Sequence, residues 1–250
     1  MIVSYSHNFI FLHIPKTAGT SLRRALMPYA NHHEEKLYAK LTRKLAGKHT
    51  PYKLIDFRNH PHWTLEKAKS LIPTDRYNTF FKFCFVRHPT DWQHSMFRHI
   101  LAHEHLPEFK ERYKKLYEHR DFHEYMKWRI DAGVIPQVVQ MLNKKMKIDV
   151  DFVGRFENLN DDFDEISRRV GIECKLPFLN KGKNKKEIHI SQETKRLIYH
   201  YYKIDFEVFG YDKEGYDKEW ILNKDREIHE LKSVYDKVGI DYDVWRKNEF

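Results

Sequence analysis

The chain has 250 residues, of which 41% are hydrophobic and 32% charged, the size and composition of one globular α/β domain or one domain with a helical appendage. Its formal net charge of +9 favours anionic ligands, from nucleic acid or an acidic glycan to a phosphorylated cofactor, without choosing among them. Two cysteines, Cys84 and Cys174, are too few for a disulfide framework or a cysteine-rich zinc site. No apolar stretch reaches the roughly 18–20 residues of a membrane span, and no basic segment leads into an apolar signal-like core, so a cytoplasmic protein is expected.

Asn8 to Ile14 is an apolar run of strand length that meets Pro15 and the turn-rich Lys16-Thr-Ala-Gly-Thr-Ser21. Leu22, Ala25 and Leu26 then fall at helical spacing, with Arg23 and Arg24 on the other face. Strand, tight loop and helix form the unit that offers backbone N–H groups and a helix N-terminus to an anion. Residues 31–50 are polar and basic and are expected to form a helix plus loop.

Thr64 is placed to cap a helix through Leu71, which Pro73-Thr74-Asp75 breaks. Thr79–Val86 reads as a buried strand containing Cys84; Arg87-His88-Pro89 ends it, and a helix runs from about Asp91 to His103. Residues 108–130 carry charges and aromatics at helical spacing, and Val150–Gly154 suggests a further short strand. Asn160 is in position to cap a helix over Asp161–Val170, with Gly171 at its end. Leu176 to Lys186 is a basic loop, Ser191 can cap a helix to about Tyr202, and Phe206–Tyr211 closes the compact part. Residues 1–212 are expected to form this domain. Residues 213–250 are very polar, with Ile228, Leu231 and Val234 at helical spacing, and predict a helical tail packed on the domain or used in association. Strands alternating with helices predict an α/β fold with a mostly parallel central sheet flanked by helices.

In the first loop Gly19 permits close backbone approach, Thr20 and Ser21 offer hydroxyls, and Lys16 adds a point charge. A bound phosphate suits this set, although an ordinary turn with a surface lysine shares the pattern. It is not a Walker A loop, because the lysine precedes the glycine. The second element is Phe85-Val86-Arg87-His88-Pro89, with Ser95 about two turns along the next helix. An arginine at the carboxyl end of a buried strand stands where open α/β sheets bind ligands. It can also simply pair with a carboxylate.

His13-Ile-Pro-Lys-Thr-Ala-Gly-Thr-Ser21 closely resembles the 5'-phosphosulfate loop of carbohydrate sulfotransferases that use PAPS (3'-phosphoadenosine-5'-phosphosulfate). Val86-Arg-His-Pro89 with Ser95 is similar to their 3'-phosphate motif. Val153-Gly-Arg-Phe-Glu-Asn-Leu159 and Leu176-Pro-Phe-Leu-Asn-Lys181, followed by Tyr199–Tyr211, also look like that family, in its order and spacing over about residues 9–212. The resemblance implies a P-loop-like sulfotransferase fold and sulfuryl transfer from PAPS to a hydroxyl, the expected acceptors being saccharides or glycans, without a metal. Lys16 would stabilise charge as PAP (3',5'-adenosine bisphosphate) departs. Thr17, Gly19, Thr20 and Ser21 would cradle the 5'-phosphate, and Arg87 and Ser95 would hold the 3'-phosphate. One of Lys181, Lys183 and Lys185 would close over it.

An acceptor hydroxyl needs a base. Arg58-Asn-His60-Pro-His62-Trp63-Thr64 supplies the candidates, since carbohydrate members of the family often carry a catalytic histidine between their two nucleotide motifs. His62 is at a similar place; Trp63 is bulkier than expected there, so His60 and His62 both stand. Weaker clusters have plainer readings. His99, His103 and His105 with Glu104 include an i,i+4 pair but no third ligand, which favours a solvated helix face over a metal site. The aromatics of 113–128 suit core better than a sugar platform, and His32-His33-Glu34-Glu35 suits a polar loop.

Two alternatives accompany this reading. A P-loop-type kinase would need Mg²⁺ and an acid after a strand, for which Asp149 and Asp151 are the candidates, but there is no Walker lysine. A non-catalytic binder of acidic glycan or nucleic acid would explain the charge but not the ordered anion loops.

Overall fold

The structure, a computed structural model, describes residues 1–30, 63–143, 147–177 and 190–212. The predictions for residues 31–50, for His60 and His62, for the lysines at 181, 183 and 185 and for the 213–250 tail lie outside the described residues. The chain divides into two compact units, Met1–Val86 with Gln140–Lys183, and Arg87–Val139 with Asn184–Phe250.

The first unit is built on a four-stranded sheet in the order β1 (Ile2–Ser4), β2 (Phe9–Leu12), β3 (Phe81–Val86), β4 (Phe152–Arg155). β1 runs antiparallel to β2, while β2–β3 and β3–β4 are parallel, with Phe9 opposite Phe81 and Phe85 opposite Gly154. The α/β expectation, a mostly parallel sheet flanked by helices, is what the chain adopts. β1 was not expected; three residues are too few to show a period-2 pattern.

Side chains alternate across β2 and β3, so Phe9, Phe11, Phe83 and Phe85 share one face. Helix α1 (Gly19–Leu26) buries Leu22, Ala25 and Leu26 against that face, and a later helix of this unit, Leu159–Val170, adds Phe163, Ile166 and Val170. Each fully buried leucine or phenylalanine contributes roughly 1.5–3 kcal/mol. Gly154 has a packing reason: the Phe85 ring fills the space its β-carbon would take.

The other face begins with a buried cation. Lys82 Nζ donates to the Phe80 carbonyl at 3.0 Å, pairs with Asp151 at 3.2 Å and lies 5.3 Å from the Tyr77 ring centre. Thr64 caps α2 (Leu65–Leu71), accepting from Lys67 N–H at 3.2 Å as its position predicts. Pro73 does break that helix, but it also opens another, α3 (Thr74–Thr79), which carries Tyr77. Tyr77 donates its hydroxyl to Asp149 at 2.8 Å, and burial together with that carboxylate pushes the phenol's pKa up.

The second unit is helical among the described residues. Its helices are α4 (Pro89–Ala102), α5 (Pro107–Arg112), α6 (Lys114–His119), α7 (Phe122–Asp131) and α9 (Gln192–Val208), the Leu159–Val170 helix of the first unit being α8. The helical stretch expected over 108–130 is therefore three short helices. Arg120 adopts a left-handed conformation at φ 49°, and Asp121 restarts the chain by accepting from Glu124 N–H at 2.9 Å. α4, α7 and α9 meet through Phe97 on Tyr125, Trp92 on Tyr202, and the Tyr125 hydroxyl donating to Gln93 Oε1 at 3.1 Å. Tyr117, Phe122 and Tyr125 are buried, so these aromatics serve as core. Ser191 caps α9, and the non-helical backbone of Tyr202 (φ −101°, ψ 20°) falls where the sequence ends the helix; the chain kinks there and continues.

Candidate active site

β2 is wholly buried and ends at Leu12; the chain then turns through His13 to Ala18 before α1 starts. Lys16 and Ala18 take left-handed conformations at φ 68° and 63°, on either side of Thr17. A left-handed non-glycine residue costs roughly 1–3 kcal/mol and persists only where its surroundings demand it. Left-handed residues interspersed with ordinary ones gather successive N–H groups into an anion-binding concavity. Thr17, fully buried, stitches the turn by donating its hydroxyl to the Ile14 carbonyl at 2.8 Å. That bond occupies its proton, so towards an anion Thr17 offers its N–H.

α1 enters this turn with its positive end open. Ala18 at the N-cap has no side-chain acceptor, no acid occupies the first turn, and Arg23 and Arg24 stand in the last. The first-turn N–H groups of such a helix attract an anion. Gly19 has a packing reason: the His13 imidazole lies where a β-carbon would stand, so any larger residue must displace that ring. Lys16 and Ser21 are half-buried and Thr20 is exposed. The first unit thus places Lys16 and Thr17 in the turn and Gly19, Thr20 and Ser21 in the first turn of the helix that follows it.

Arg87 and Ser95 belong to the second unit. Arg87 follows Val86 directly, and its backbone is held by one side chain. Gln137 Oε1 accepts from Arg87 N–H at 2.9 Å, while Gln137 Nε2 donates to the Arg87 carbonyl at 2.8 Å. Gln137 is held in turn by Asp205, whose Oδ2 accepts from Gln137 N–H and whose Oδ1 accepts from Val138 N–H, each at 2.9 Å. Asp205 is fully buried, and burial pushes its carboxyl up to about 7 against these bonds. The His88 ring meets Phe206 and Tyr211 edge-on at 5.1 and 5.2 Å, fixing the next residue as well.

Pro89 opens α4, and Ser95 sits half-buried in its second turn. His94 beside it has its pKa lowered, chiefly by burial and then by the Arg98 charge, with Asp91 opposing the shift and Arg87 adding a smaller push.

The pattern in the sequence did not single out Gln137, Asp205, His94 or His13. Asp205 had one usable signal, a carboxylate between Ile204 and Phe206 in an apolar stretch, since a buried acid needs donors. Gln137 had none, because its partner lies fifty positions away. The candidate acids of a kinase are tied up at the far end of the sheet. Asp151 accepts from Lys82 N–H at 2.7 Å and its own N–H donates to the Lys82 carbonyl at 2.7 Å, at the amino ends of β3 and β4. Leu12 and Arg155 end their strands at the opposite, carboxyl edge. Among the described residues no group of three or more His, Cys, Asp and Glu is arranged to hold a metal. His103 Nδ1 is bonded to the His99 carbonyl at 2.7 Å, and both rings pack on Phe109.

Residues 1–212 match the model of the Sulfotransferase family. The chain is 24% identical over 255 residues to carbohydrate sulfotransferase 11 of Rattus norvegicus, covering 87% of this chain and 68% of that protein. Carbohydrate sulfotransferase 11 of Mus musculus is 23% identical over the same shares. An uncharacterized protein of Archaeoglobus fulgidus is 26% identical over 114 residues, 45% of this chain and 82% of that one. No solved structure matches the chain at a significant level. The family match spans both the Lys16–Ser21 turn and the Arg87–Ser95 segment, and this chain belongs to the sulfotransferase family, with its likeness to the carbohydrate sulfotransferases.

Proposed function

We propose that the chain transfers a sulfuryl group from PAPS to a hydroxyl of a saccharide or glycan. The observation that carries this reading is the turn before α1, where left-handed Lys16 and Ala18 flank Thr17 ahead of a helix start that lacks a side-chain cap. PAPS supplies an activated sulfuryl group whose leaving group is a phosphate, so the enzyme must hold two anionic ends and stabilise the departing oxygen. The donor set fits. N–H groups at Thr17, Gly19, Thr20 and Ser21 suit the 5'-phosphate, because nothing beyond Cα at Gly19 obstructs close approach.

Lys16 is the charge placed to stabilise the oxygen that leaves, the largest single contribution such a site makes. Arg87, on its clamped backbone, and Ser95 on α4 suit the 3'-phosphate, which separates PAPS from ATP-like nucleotides. The lysines at 181, 183 and 185 are assigned to cover that phosphate. His62, or in its place His60, takes the acceptor proton. Orientation of donor and acceptor in line supplies the rest, since a bound pair reacts as a unimolecular system. No residue in this assignment requires a metal.

The kinase alternative loses support because Asp149 and Asp151 are engaged by Tyr77 and Lys82 at the amino ends of the strands. A non-catalytic polyanion binder leaves the cost of the two left-handed residues without a purpose. Calorimetric titration with PAP, ATP and duplex DNA separates the three readings. PAP binding at least tenfold tighter than ATP supports the proposal; tighter binding of ATP or DNA overturns it.

A further inference from the structure

Gln137 holds the Arg87 peptide from both sides, its Oε1 on the N–H and its Nε2 on the carbonyl. The pattern imitates the pairing that a neighbouring strand would give, at the residue where β3 has just ended. A side-chain amide can do this only if its own position and its flip are fixed. Asp205 fixes the position by accepting the Gln137 and Val138 N–H groups, and its Oδ2 lies 3.4 Å from Gln137 Nε2, which sets the amide's orientation. Gln137 and Asp205 are both fully buried, so the bonds between them are sheltered from water, while the two bonds to the Arg87 backbone are half-buried. The Arg87 side chain hangs from the peptide so clamped. Its guanidinium, unlike its backbone, must meet a ligand in a set direction, and an arginine fork discriminates by geometry as well as charge.

We infer that Gln137 is a positioning residue for recognition of the cofactor's 3'-phosphate, acting through the Arg87 backbone and itself set by Asp205. The inference rests on the assignment of Arg87 to the 3'-phosphate. It adds that selectivity for a 3'-phosphorylated nucleotide depends on a buried amide that touches no ligand. A glutamine whose role is merely to fill the core would affect all ligands alike; a positioning residue affects the end of the ligand that Arg87 reads.

The test compares adenosine 3',5'-bisphosphate with adenosine 5'-phosphosulfate, which lacks the 3'-phosphate, by calorimetry on the full chain. Gln137→Met keeps volume and removes both bonds to Arg87. It is expected to weaken the bisphosphate about tenfold or more while 5'-phosphosulfate affinity stays within about threefold. In Arg87→Ala the further change Gln137→Met is expected to add almost nothing, because the two act as one unit. If Gln137→Met fails to fold, Asp205→Asn, which keeps the shape but turns one of the two accepting oxygens into a donor, serves instead and is expected to give a smaller loss confined to the bisphosphate. Equal losses for both ligands, no loss for either, or additive effects in the double variant overturn the inference. A wild-type chain that shows no preference for the bisphosphate overturns the assignment of Arg87 itself, a failure distinguishable because it precedes any variant.

Discussion

The imidazole of His13 occupies the space that a β-carbon on Gly19 would need. The glycine thus makes room for a neighbour's side chain as well as for the anion proposed to bind there, and the two roles can be separated. Gly19→Ala must displace the ring, which sits at the base of the turn holding Lys16 and Thr17. PAP affinity is expected to fall roughly tenfold, about 1.4 kcal/mol. Because the obstacle is the outer end of a side chain, His13→Ala should relieve it. The double variant is expected to bind PAP within about threefold of His13→Ala alone, a non-additivity that titration calorimetry reads directly. Additive losses would place the fault in the backbone instead.

Lys16 should act mainly in the transition state, on the oxygen that leaves. Lys16→Ala is expected to lower kcat by roughly 10²–10³ with a smaller change in PAP affinity. Single-turnover kinetics check it, since they separate chemistry from release. A kcat kept within about threefold removes Lys16 from its assigned role.

Asp205 gives a prediction about stability and pH. Its folded-state carboxyl is pushed up to about 7 by burial, whereas an aspartate in the unfolded chain titrates near 3.9. Between those values the folded state keeps a proton that the unfolded state has released, so this group's contribution to stability falls as pH rises. Asparagine does not titrate. The stability of Asp205→Asn relative to wild type is therefore expected to improve by roughly 2–3 kcal/mol between pH 5 and pH 8, measured by urea unfolding. Parallel pH profiles for the two proteins would show that Asp205 keeps an ordinary carboxylate pKa.

What the sequence shows most readily is local. The β2–turn–α1 unit, the Thr64 and Ser191 caps, and Gly171 in its left-handed conformation at φ 69° all follow from residues within a few positions of one another. Boundaries shift where a side chain reaches back. α8 begins at Leu159 rather than after Asn160, and the Asp162 carboxylate in its first turn accepts the Arg155 N–H at 2.6 Å. The Gln137–Arg87 clamp and the Asp205 that sets it were not readable, because hydrogen bonds between distant buried side chains leave no period and no spacing. The left-handed backbone of Lys16 and Ala18 was equally hidden, since neither residue type advertises a positive φ.

The histidine assigned as base gives a prediction in pH. It must be neutral to take the acceptor proton, so kcat/KM should rise with pH through an apparent pKa near 6–7. His62→Ala is expected to remove that limb and to slow transfer by roughly 10²–10⁴, with PAP affinity near wild type. If His60→Ala removes the limb and His62→Ala leaves it, the two exchange roles. If neither slows transfer tenfold, the base lies elsewhere.

The most direct measurement of the central claim is transfer of labelled sulfate from PAPS across a panel of oligosaccharides, phenols and lipids. Label should appear on a saccharide hydroxyl, with PAP formed in equal amount, and both should be lost together in Lys16→Ala. Label passing only to phenols or lipids would contradict the carbohydrate assignment, and no transfer to any acceptor from a chain that binds PAP would contradict the account of the site as catalytic.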